Sequence, residues 1–305
     1  MDIYKCRGHV AVLSANVIFG LNVPVTKALL GNWMTPLGYM ATRTLSALVL
    51  FWVIQCFTPK EKVSRKDLLI IAVGGIMGFI ISQYLTAISL QYTSPVYFSL
   101  IVALSPMVVM LLAAFFLKEP VTRHKIMGVV LGIAGALLLI MRIDRGASGT
   151  NDMWGITLAL ISITAYSIYL IIMRSVARKY SAVTQMKWMF LFTALILVPL
   201  GAGEFSQQTL FSPDWRWDGV LELGFVLIFA TACGYFLMPF GMKYLRATTV
   251  SIYMNLQPIV ASIAAIFIGQ DTFSWDKPIA ALLVILGAYI VTTSPAKQDN
   301  TIKKT

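Results

Sequence analysis

The sequence predicts an all-α integral membrane protein with ten transmembrane helices, arranged as two inverted five-helix repeats around a central cavity. The 305-residue chain is 58% hydrophobic and only 12% charged, and its mean hydropathy is +0.79. Apolar runs of about 20 residues, the length that crosses a bilayer, follow one another along the chain. One pattern of residues also recurs in the two halves. Most residues are therefore expected to face lipid or other helices.

Ten apolar runs with mostly short polar connections are interpreted as the ten spans. They cover residues 8–29, 36–57, 68–90, 94–117, 124–142, 153–173, 183–202, 219–243, 248–269 and 277–294. Five spans per half is an odd number, so the two halves are expected to have opposite orientations in the membrane. The predicted repeats are residues 1–146 and 147–305.

The recurring pattern centres on a proline in the middle of an apolar run. An offset of 152 residues superimposes four positions: Ser99 on Ser251, Pro106 on Pro258, Glu119 on Asp271 and Gly135 on Gly287. A duplicated half with a helix-interrupting residue at bilayer depth is typical of secondary transporters, which build their substrate site near the membrane midplane. The repeat therefore favours solute transport.

The basic residues predict the orientation of the spans. With the N-terminus in the cytoplasm, 17 of the 24 Lys and Arg residues lie in cytoplasmic segments and four in external ones. Such an excess of basic residues marks the cytoplasmic side of a membrane protein. Both termini are accordingly expected in the cytoplasm, and the net charge of +11 reflects topology rather than nucleic-acid binding. The expected location is the cytoplasmic (inner) membrane of the cell.

Three prolines are candidate helix breaks or hinges: Pro24, Pro106 and Pro258. A proline inside a helix lacks the N–H that would bond the carbonyl four residues before it, and it pushes that carbonyl aside. Freed carbonyls at membrane depth are tolerated only where protein or water satisfies them, which favours a cavity wall. A simple packing kink is the alternative.

Amide and tyrosine side chains at mid-depth are the candidate substrate contacts. They are Asn16, Asn22, Gln83, Tyr84, Tyr97, Tyr166, Tyr169, Tyr235, Tyr253, Asn255 and Gln257. Buried amides and hydroxyls need partners, so these side chains are expected to face inward. They predict a cavity between spans 8–29, 68–90, 94–117, 153–173, 219–243 and 248–269. The alternative for each residue is a hydrogen bond between helices or simple packing.

Charged residues near the spans are candidate gates or anchors. Arg43 lies about 10 Å into its predicted span, where a structural ion pair or snorkelling is expected and a substrate carboxylate is the alternative. Glu119 and Asp271 end spans 94–117 and 248–269. Each is expected to anchor a neighbouring loop, with pairing in a closed gate as the alternative. No Asp or Glu lies at mid-depth, so proton coupling has no obvious carrier.

The chain resembles the EamA-repeat family of the drug/metabolite transporter superfamily. The matching positions are 16–27 (NVIFGLNVPVTK), Arg43, 83–84, 89–94, 105–106, Glu119, Gly128, Gly132, Gly135, 257–258, Asp271 and Gly287. The sequence departs from the family pattern at Phe19, where tryptophan is usual, and at Asp271, where glutamate is usual. The resemblance covers nearly the whole chain and implies a transporter. Its relatives are said to handle amino acids, nucleosides, drugs and sugar phosphates.

These observations together predict a secondary transporter, an exporter of a small metabolite such as an amino acid or a similar amphipathic solute, working by alternating access. The expected partners are that solute and the lipid bilayer, with the protein a monomer or weak dimer. No catalytic residue, metal ligand or cofactor site is assigned, because His9 and His124 stand apart from any catalytic or metal-binding grouping. A membrane scaffold or an enzyme acting on lipids remains the alternative.

Overall fold

The computed structural model describes residues 3–117, 122–124, 126–128, 130–131, 134–135, 151–213, 215–245, 250, 253–254, 256–270, 273 and 275–293. Its main helices, labelled α1 to α10, are Ile3–Asn32, Pro36–Cys56, Arg65–Tyr92, Pro95–Val102, Ser105–Leu117, Asp152–Ala177, Ala182–Gly201, Trp217–Tyr244, Leu256–Phe267 and Asp276–Thr293. The described residues contain no strand, which confirms the all-α prediction for this part of the chain.

Seven helical stretches among the described residues are long and apolar enough to cross a membrane. They are α1, α2, α3, α4 together with α5, α6, α7 and α8, and each coincides with a predicted span. Helices α9 and α10 lie in the last two predicted spans. Most of the predicted span 124–142 lies outside the described residues. The chain is a multi-pass helical membrane protein, and the total of ten spans stays a prediction.

The outer face of α1 shows how the sequence suits a bilayer. Val10, Leu13, Val17 and Leu21 recur every three or four residues, and all four are exposed. Residues at this spacing share one face of a helix. A continuous exposed apolar stripe is unfavourable in water but matches lipid tails, so this face of α1 borders the bilayer.

Helices α2 and α7 form an antiparallel pair that is joined at both ends. Thr35 caps the start of α2, and its hydroxyl also donates to the carboxylate of Glu204, which follows α7. Ser181 caps the start of α7, and its amide and hydroxyl donate to Glu61 Oε2 at 2.9 and 3.0 Å, just after α2. We call these two contacts the terminal clamps.

The terminal clamps are reciprocal: the cap residue of each helix binds a glutamate beyond the end of the other. A cap hydroxyl accepts from its own helix and can donate to a carboxylate at the same time, so one side chain fills both roles. Between the clamps, the rings of Phe51 and Phe190 stack with their centroids 5.7 Å apart.

Helices α3 and α8 each contain a π-helical segment, Ile76–Ile81 and Val226–Gly234. Their predicted spans hold equivalent places in the two predicted repeats. A π segment widens the helical turn and changes the direction of the side chains that follow, and such segments are frequent at functional sites. Both segments end immediately before residues that line the cavity described below, Ser82 and Tyr235.

The predicted break near Pro106 is present, but the proline does not occupy the middle of a helix. Residues Ala103 and Leu104 form a turn between α4 and α5, and Pro106 is the second residue of α5. The carbonyl of Val102, four residues before Pro106, is expected to lose its helical partner and to be satisfied by protein or water, and the Ser105 hydroxyl donates to it at 2.5 Å. A proline in the first turn of a helix costs no hydrogen bond.

The other two prolines differ from each other. Pro258 is the third residue of α9, again in a first turn. The carbonyl of Met254, which cannot bond to Pro258, accepts from the backbone N–H of Gln257 at 3.0 Å. At Pro24 the predicted break is absent, since α1 continues from Ile3 to Asn32. One lost backbone bond is tolerable in a helix that is packed against its neighbours along most of its length.

Close packing of α3 on α6 depends on small residues. A Cβ at Gly74 would lie 2.6 Å from Met173 Sδ, and one at Gly78 would lie 2.4 Å from Tyr169 Cγ. These distances are too short for any side chain, so glycine lets the two helices approach. The contact places the polar residues of α3 opposite those of α6.

Candidate functional site

A cavity opens between the helices, with about 70 Å³ of space for water molecules. One water needs roughly 10–15 Å³ of such space, so the cavity holds several waters or a small solute group. Its lining residues are Phe19, Asn22, Val23, Ser82, Gln83, Thr86, Phe98, Val102, Ser162, Ile163, Tyr166, Tyr235, Met254 and Gln257. They come from the same six stretches that the sequence predicted as cavity walls.

Hydroxyl groups on α3 and α6 form a closed set on one wall. Thr86 Oγ1 lies 2.9 Å from Ser162 Oγ, which donates to the carbonyl of Ser82 at 2.9 Å. The Ser82 hydroxyl lies 3.3 Å from the same Ser162 oxygen. Because these groups satisfy one another, they hold α3 and α6 together and give the wall a fixed polar patch.

Two polar atoms in the cavity wall are buried without a partner among the described residues. They are Asn22 Oδ1 on α1 and the Tyr235 hydroxyl on α8. A buried polar atom without a hydrogen bond costs about 1–3 kcal/mol. In a cavity this size, water or a solute can supply the missing bond. Both atoms therefore keep an unused capacity for hydrogen bonding at the cavity wall.

Gln257 reaches the cavity as the end of a chain of amides. Its Nε2 donates to Asn16 Oδ1 at 2.7 Å, and Asn16 Nδ2 donates to the Val12 carbonyl at 2.8 Å. Asn16 is fully buried and does not line the cavity. The close approach of α1 and α9 that allows this contact occurs at Gly20, where a Cβ would lie 2.8 Å from Val260 Cβ.

Arg43 lies behind the cavity wall and is only 1% exposed. It donates to Thr231 Oγ1 and the Tyr39 hydroxyl, each at 3.0 Å, and to Gln83 Oε1 at 3.3 Å. Its guanidinium also lies over the rings of Tyr39 and Phe79, 5.1 and 5.5 Å from their centroids. Thr231 and Phe79 belong to the two π segments, so Arg43 joins them.

The environment of Arg43 corrects the expectation of an ion pair or snorkelling. The side chain points into the protein, and none of its partners among the described residues is a carboxylate. Three neutral acceptors and two ring faces offset the cost of burying the charge. Arg43 thus joins α2, α3 and α8 as an anchor.

Five of the eleven candidate contacts line the cavity: Asn22, Gln83, Tyr166, Tyr235 and Gln257. Asn16 lies one hydrogen bond behind it. Tyr84 packs against the core, Tyr97 packs with Val96, Leu100 and Ala265, and the ring of Tyr169 is covered by α3. The Tyr253 hydroxyl lies 2.8 Å from His9 Nδ1. Asn255, Glu119 and Asp271 lie outside the described residues.

Several lining residues were missed by the sequence reasoning. Ser82, Thr86 and Ser162 carry small hydroxyls within apolar runs, and Ser82 and Thr86 share a face of α3 through their four-residue spacing. This spacing, next to the candidate residue Gln83, is the sequence signal that could have identified Ser82 and Thr86 as lining residues. Phe98 and Met254 carried none, because apolar residues in an apolar helix look alike until the helices are packed. Phe19 was noted only as a departure from the family pattern.

A multi-pass helical protein whose helices line a cavity with both polar and apolar side chains has the architecture of a membrane transport protein. The chain belongs to the EamA-like transporter family, whose model matches residues 7–141 and 153–293. The protein is therefore a membrane transporter, which confirms the resemblance read from the sequence.

Similar proteins are found in bacteria and archaea. An uncharacterized transporter of Bacillus subtilis, YyaM, is 25% identical over 92% of this chain and 91% of its own length. An uncharacterized transporter of Archaeoglobus fulgidus is 24% identical over 85% of this chain and 90% of its own. A solved crystal structure matches with a TM-score of 0.67, covering 93% of this chain and 96% of the other at 18% identity. That likeness supports the fold alone.

Proposed function

We propose that this transporter carries a small amphipathic solute, such as an amino acid, through the described cavity by alternating access. The observation that carries the proposal is the pair of unpartnered polar atoms, Asn22 Oδ1 and the Tyr235 hydroxyl, in a wall that also includes Phe19, Phe98 and Val102. Such a lining offers hydrogen bonds to the polar part of a solute and an apolar surface to the rest.

The proposal includes two inverted halves that move against each other, with substrate held between them. The reciprocal terminal clamps support it, because α2 and α7 are equivalent helices of the proposed halves and run antiparallel. Export is the proposed direction of transport. Both termini are proposed to be cytoplasmic on the strength of the basic residues.

The test is solute flux into or out of liposomes that contain only this protein. Asn22→Ala and Tyr235→Phe each remove one unpartnered polar group from the cavity. Losing a hydrogen bond to a buried polar group of the solute is worth about 1–3 kcal/mol, so we expect affinity to fall roughly five- to hundredfold. Loading solute on one side at a time measures the direction.

Matched controls separate cavity effects from general damage. Asn32→Ala changes the same residue type on the same helix at an exposed position, and Tyr84→Phe removes a tyrosine hydroxyl outside the cavity. Both controls should retain full flux per folded molecule. Equal flux in the controls and in the two cavity variants would refute the assignment of this cavity as the substrate site.

A further inference from the structure

The hydrogen-bond direction of two cavity amides is set by residues outside the cavity lining. We infer that Arg43 and Asn16 are positioning residues that fix the amides of Gln83 and Gln257, so that the cavity presents a donor from α3 and an acceptor from α9. The inference rests on the proposed function, because it concerns the same cavity. Beyond the proposed function, the inference specifies which end of a solute would face α3 and which end would face α9.

Arg43 fixes the direction of Gln83. A guanidinium has only donors, so the atom of the Gln83 amide that it contacts at 3.3 Å must be the oxygen. The Nε2 group of Gln83, at the other end of that amide, has no partner among the described residues. Since Gln83 lines the cavity, this NH₂ is a donor available to a solute.

Arg43 is itself held firmly. It is 1% exposed, donates to Tyr39 and Thr231 from two different nitrogens, and is covered by two aromatic rings. Reversing the Gln83 amide would place an NH₂ against this buried cation, leaving both donors without an acceptor. The donor direction of Gln83 therefore does not depend on a ligand.

Asn16 fixes Gln257 in the opposite sense. The Val12 carbonyl can only accept, so Asn16 must turn its NH₂ toward it and its oxygen away. That oxygen accepts from Gln257 Nε2 at 2.7 Å. Gln257 Oε1 has no partner within the described part of the chain, so it is the acceptor available to a solute. Both side chains are at least nine-tenths buried, and the chain of bonds starts at a backbone group that cannot reverse.

This polarity defines a class of solute. The molecule would present an acceptor, a carboxylate or carbonyl, to Gln83, where the charge of Arg43 lies one side chain away. It would present a donor, an ammonium, amide or hydroxyl group, to Gln257. Its apolar part would lie against the walls that Phe19, Phe98 and Val102 supply.

Three matched probes test this class on the purified protein. L-Leucine carries both groups, isoamylamine is leucine without the carboxylate, and 4-methylvalerate is leucine without the ammonium. Binding is measured by calorimetry in detergent. We expect leucine to bind about five- to hundredfold more tightly than either fragment. Equal binding of the three probes, or no binding of any, would overturn the inference.

Two substitutions then test the positioning roles. Arg43→Met should reduce the discrimination between leucine and isoamylamine, because Gln83 can then turn, and it should leave the discrimination against 4-methylvalerate unchanged. Asn16→Leu should reduce the discrimination between leucine and 4-methylvalerate and leave the discrimination against isoamylamine unchanged. Arg43→Lys, which keeps a charged donor, should partly restore the first ratio. A merely structural role would weaken all three probes alike, and that result would contradict the inference.

The melting temperature of each variant is measured together with its binding, as a check that it is folded. If Arg43→Met or Asn16→Leu fails to fold, Gln83→Met and Gln257→Met replace them, because they remove the donor and the acceptor directly. Gln83→Met should then have the effect expected of Arg43→Met, and Gln257→Met the effect expected of Asn16→Leu. Liposome flux distinguishes the two proposals. If leucine binds more tightly than both fragments but no flux is measured, the assignment of donor and acceptor holds and transport through this cavity is refuted. If flux is measured but the three probes bind equally, transport holds and the assignment of donor and acceptor is refuted.

Discussion

At the residue scale, two sets of buried polar side chains form short hydrogen-bonded chains that begin at a fixed group and end at the cavity. One chain begins at the Val12 carbonyl and ends at Gln257, and the other begins at Arg43 and ends at Gln83. In both chains the inner links satisfy each other, and the free end of the last amide faces the cavity. This arrangement stabilises the bundle and supplies binding groups together.

The residue-scale prediction concerns the variant Gln257→Ala. The variant removes one hydrogen bond between helices, which costs on average about 0.6 kcal/mol of stability in membranes. It also removes a cavity group, so we expect transport affinity to fall about five- to hundredfold. Flux per folded molecule is compared with melting temperature in detergent.

Gln185→Ala is the matched control for Gln257→Ala. Gln185 is also a buried glutamine, and its Nε2 donates to the Tyr180 carbonyl at 2.9 Å, but it does not line the cavity. It should lose stability and retain flux. Unchanged flux in Gln257→Ala would show that this part of α9 serves packing alone.

At the element scale, the approach of α3 to α6 positions two cavity walls and depends on Gly78. We predict that Gly78→Ala lowers the free energy of unfolding by about 1–3 kcal/mol, because its methyl group would overlap the Tyr169 ring. Denaturant unfolding in detergent measures the change. Gly224→Ala is the control, since no atom of the part of the chain that the structure describes lies within 4 Å of its added Cβ. Equal stability of the two variants would argue against this close contact.

The terminal clamps are also a property of elements, and Glu61 makes one of them testable by pH. Partial burial opposes ionisation of this carboxyl, but the Thr184 hydroxyl, the amide and hydroxyl of Ser181, and the charge of Lys243 outweigh it. Together they hold the pKa of Glu61 below its usual value. A carboxylate with a lowered pKa contributes stability above its unfolded-state pKa, about 4.3, and loses it as the pH falls through the folded-state value.

We therefore predict that Glu61→Gln is less stable than the parent protein at pH 7, by less than about 1 kcal/mol because the site is largely exposed. The difference should shrink below about pH 4.3. Melting temperatures of both proteins across pH provide the measurement. Asp218→Asn, at an exposed pair with Arg216, is the control and should show little change. If the difference in melting temperature between the two proteins does not change with pH, the charge of Glu61 does not contribute to stability.

At the scale of the whole molecule, the clamps fix which loops share a face. The segments around Thr35 and Glu204 lie at one end of α2, and those around Glu61 and Ser181 lie at the other. Loops from both predicted halves therefore meet on each face. The structure relates the two faces to each other, and the distribution of basic residues predicts which of them is cytoplasmic.

The whole-molecule prediction is this orientation. A reporter fused after Lys304 should be cytoplasmic, and an epitope tag inserted at the exposed Pro213 should be accessible from outside the cell. A tag at the exposed Lys60 serves as the control for the opposite face and should be protected in intact cells. Labelling of Lys60 in place of Pro213 would reverse the topology.

The sequence by itself determined the class of the protein and the six walls of the cavity. Apolar runs report crossings because a bilayer imposes the same requirement on every span. The amides and tyrosines within those runs then indicated where polar groups meet. Gln83, Gln257 and Tyr235 were found this way. The sequence predicts that Pro106 and Pro258 interrupt helices in mid-span, whereas the structure places each proline in the first turn of a helix.

Only the tertiary structure decided which polar atoms are satisfied and which are left for a solute. Arg43 bonds to Thr231, 188 residues away, and Gln257 bonds to Asn16, 241 residues away. No local pattern encodes such a pairing. The direction of a buried amide depends on what its neighbours can donate or accept, and those neighbours are defined only when the helices have packed.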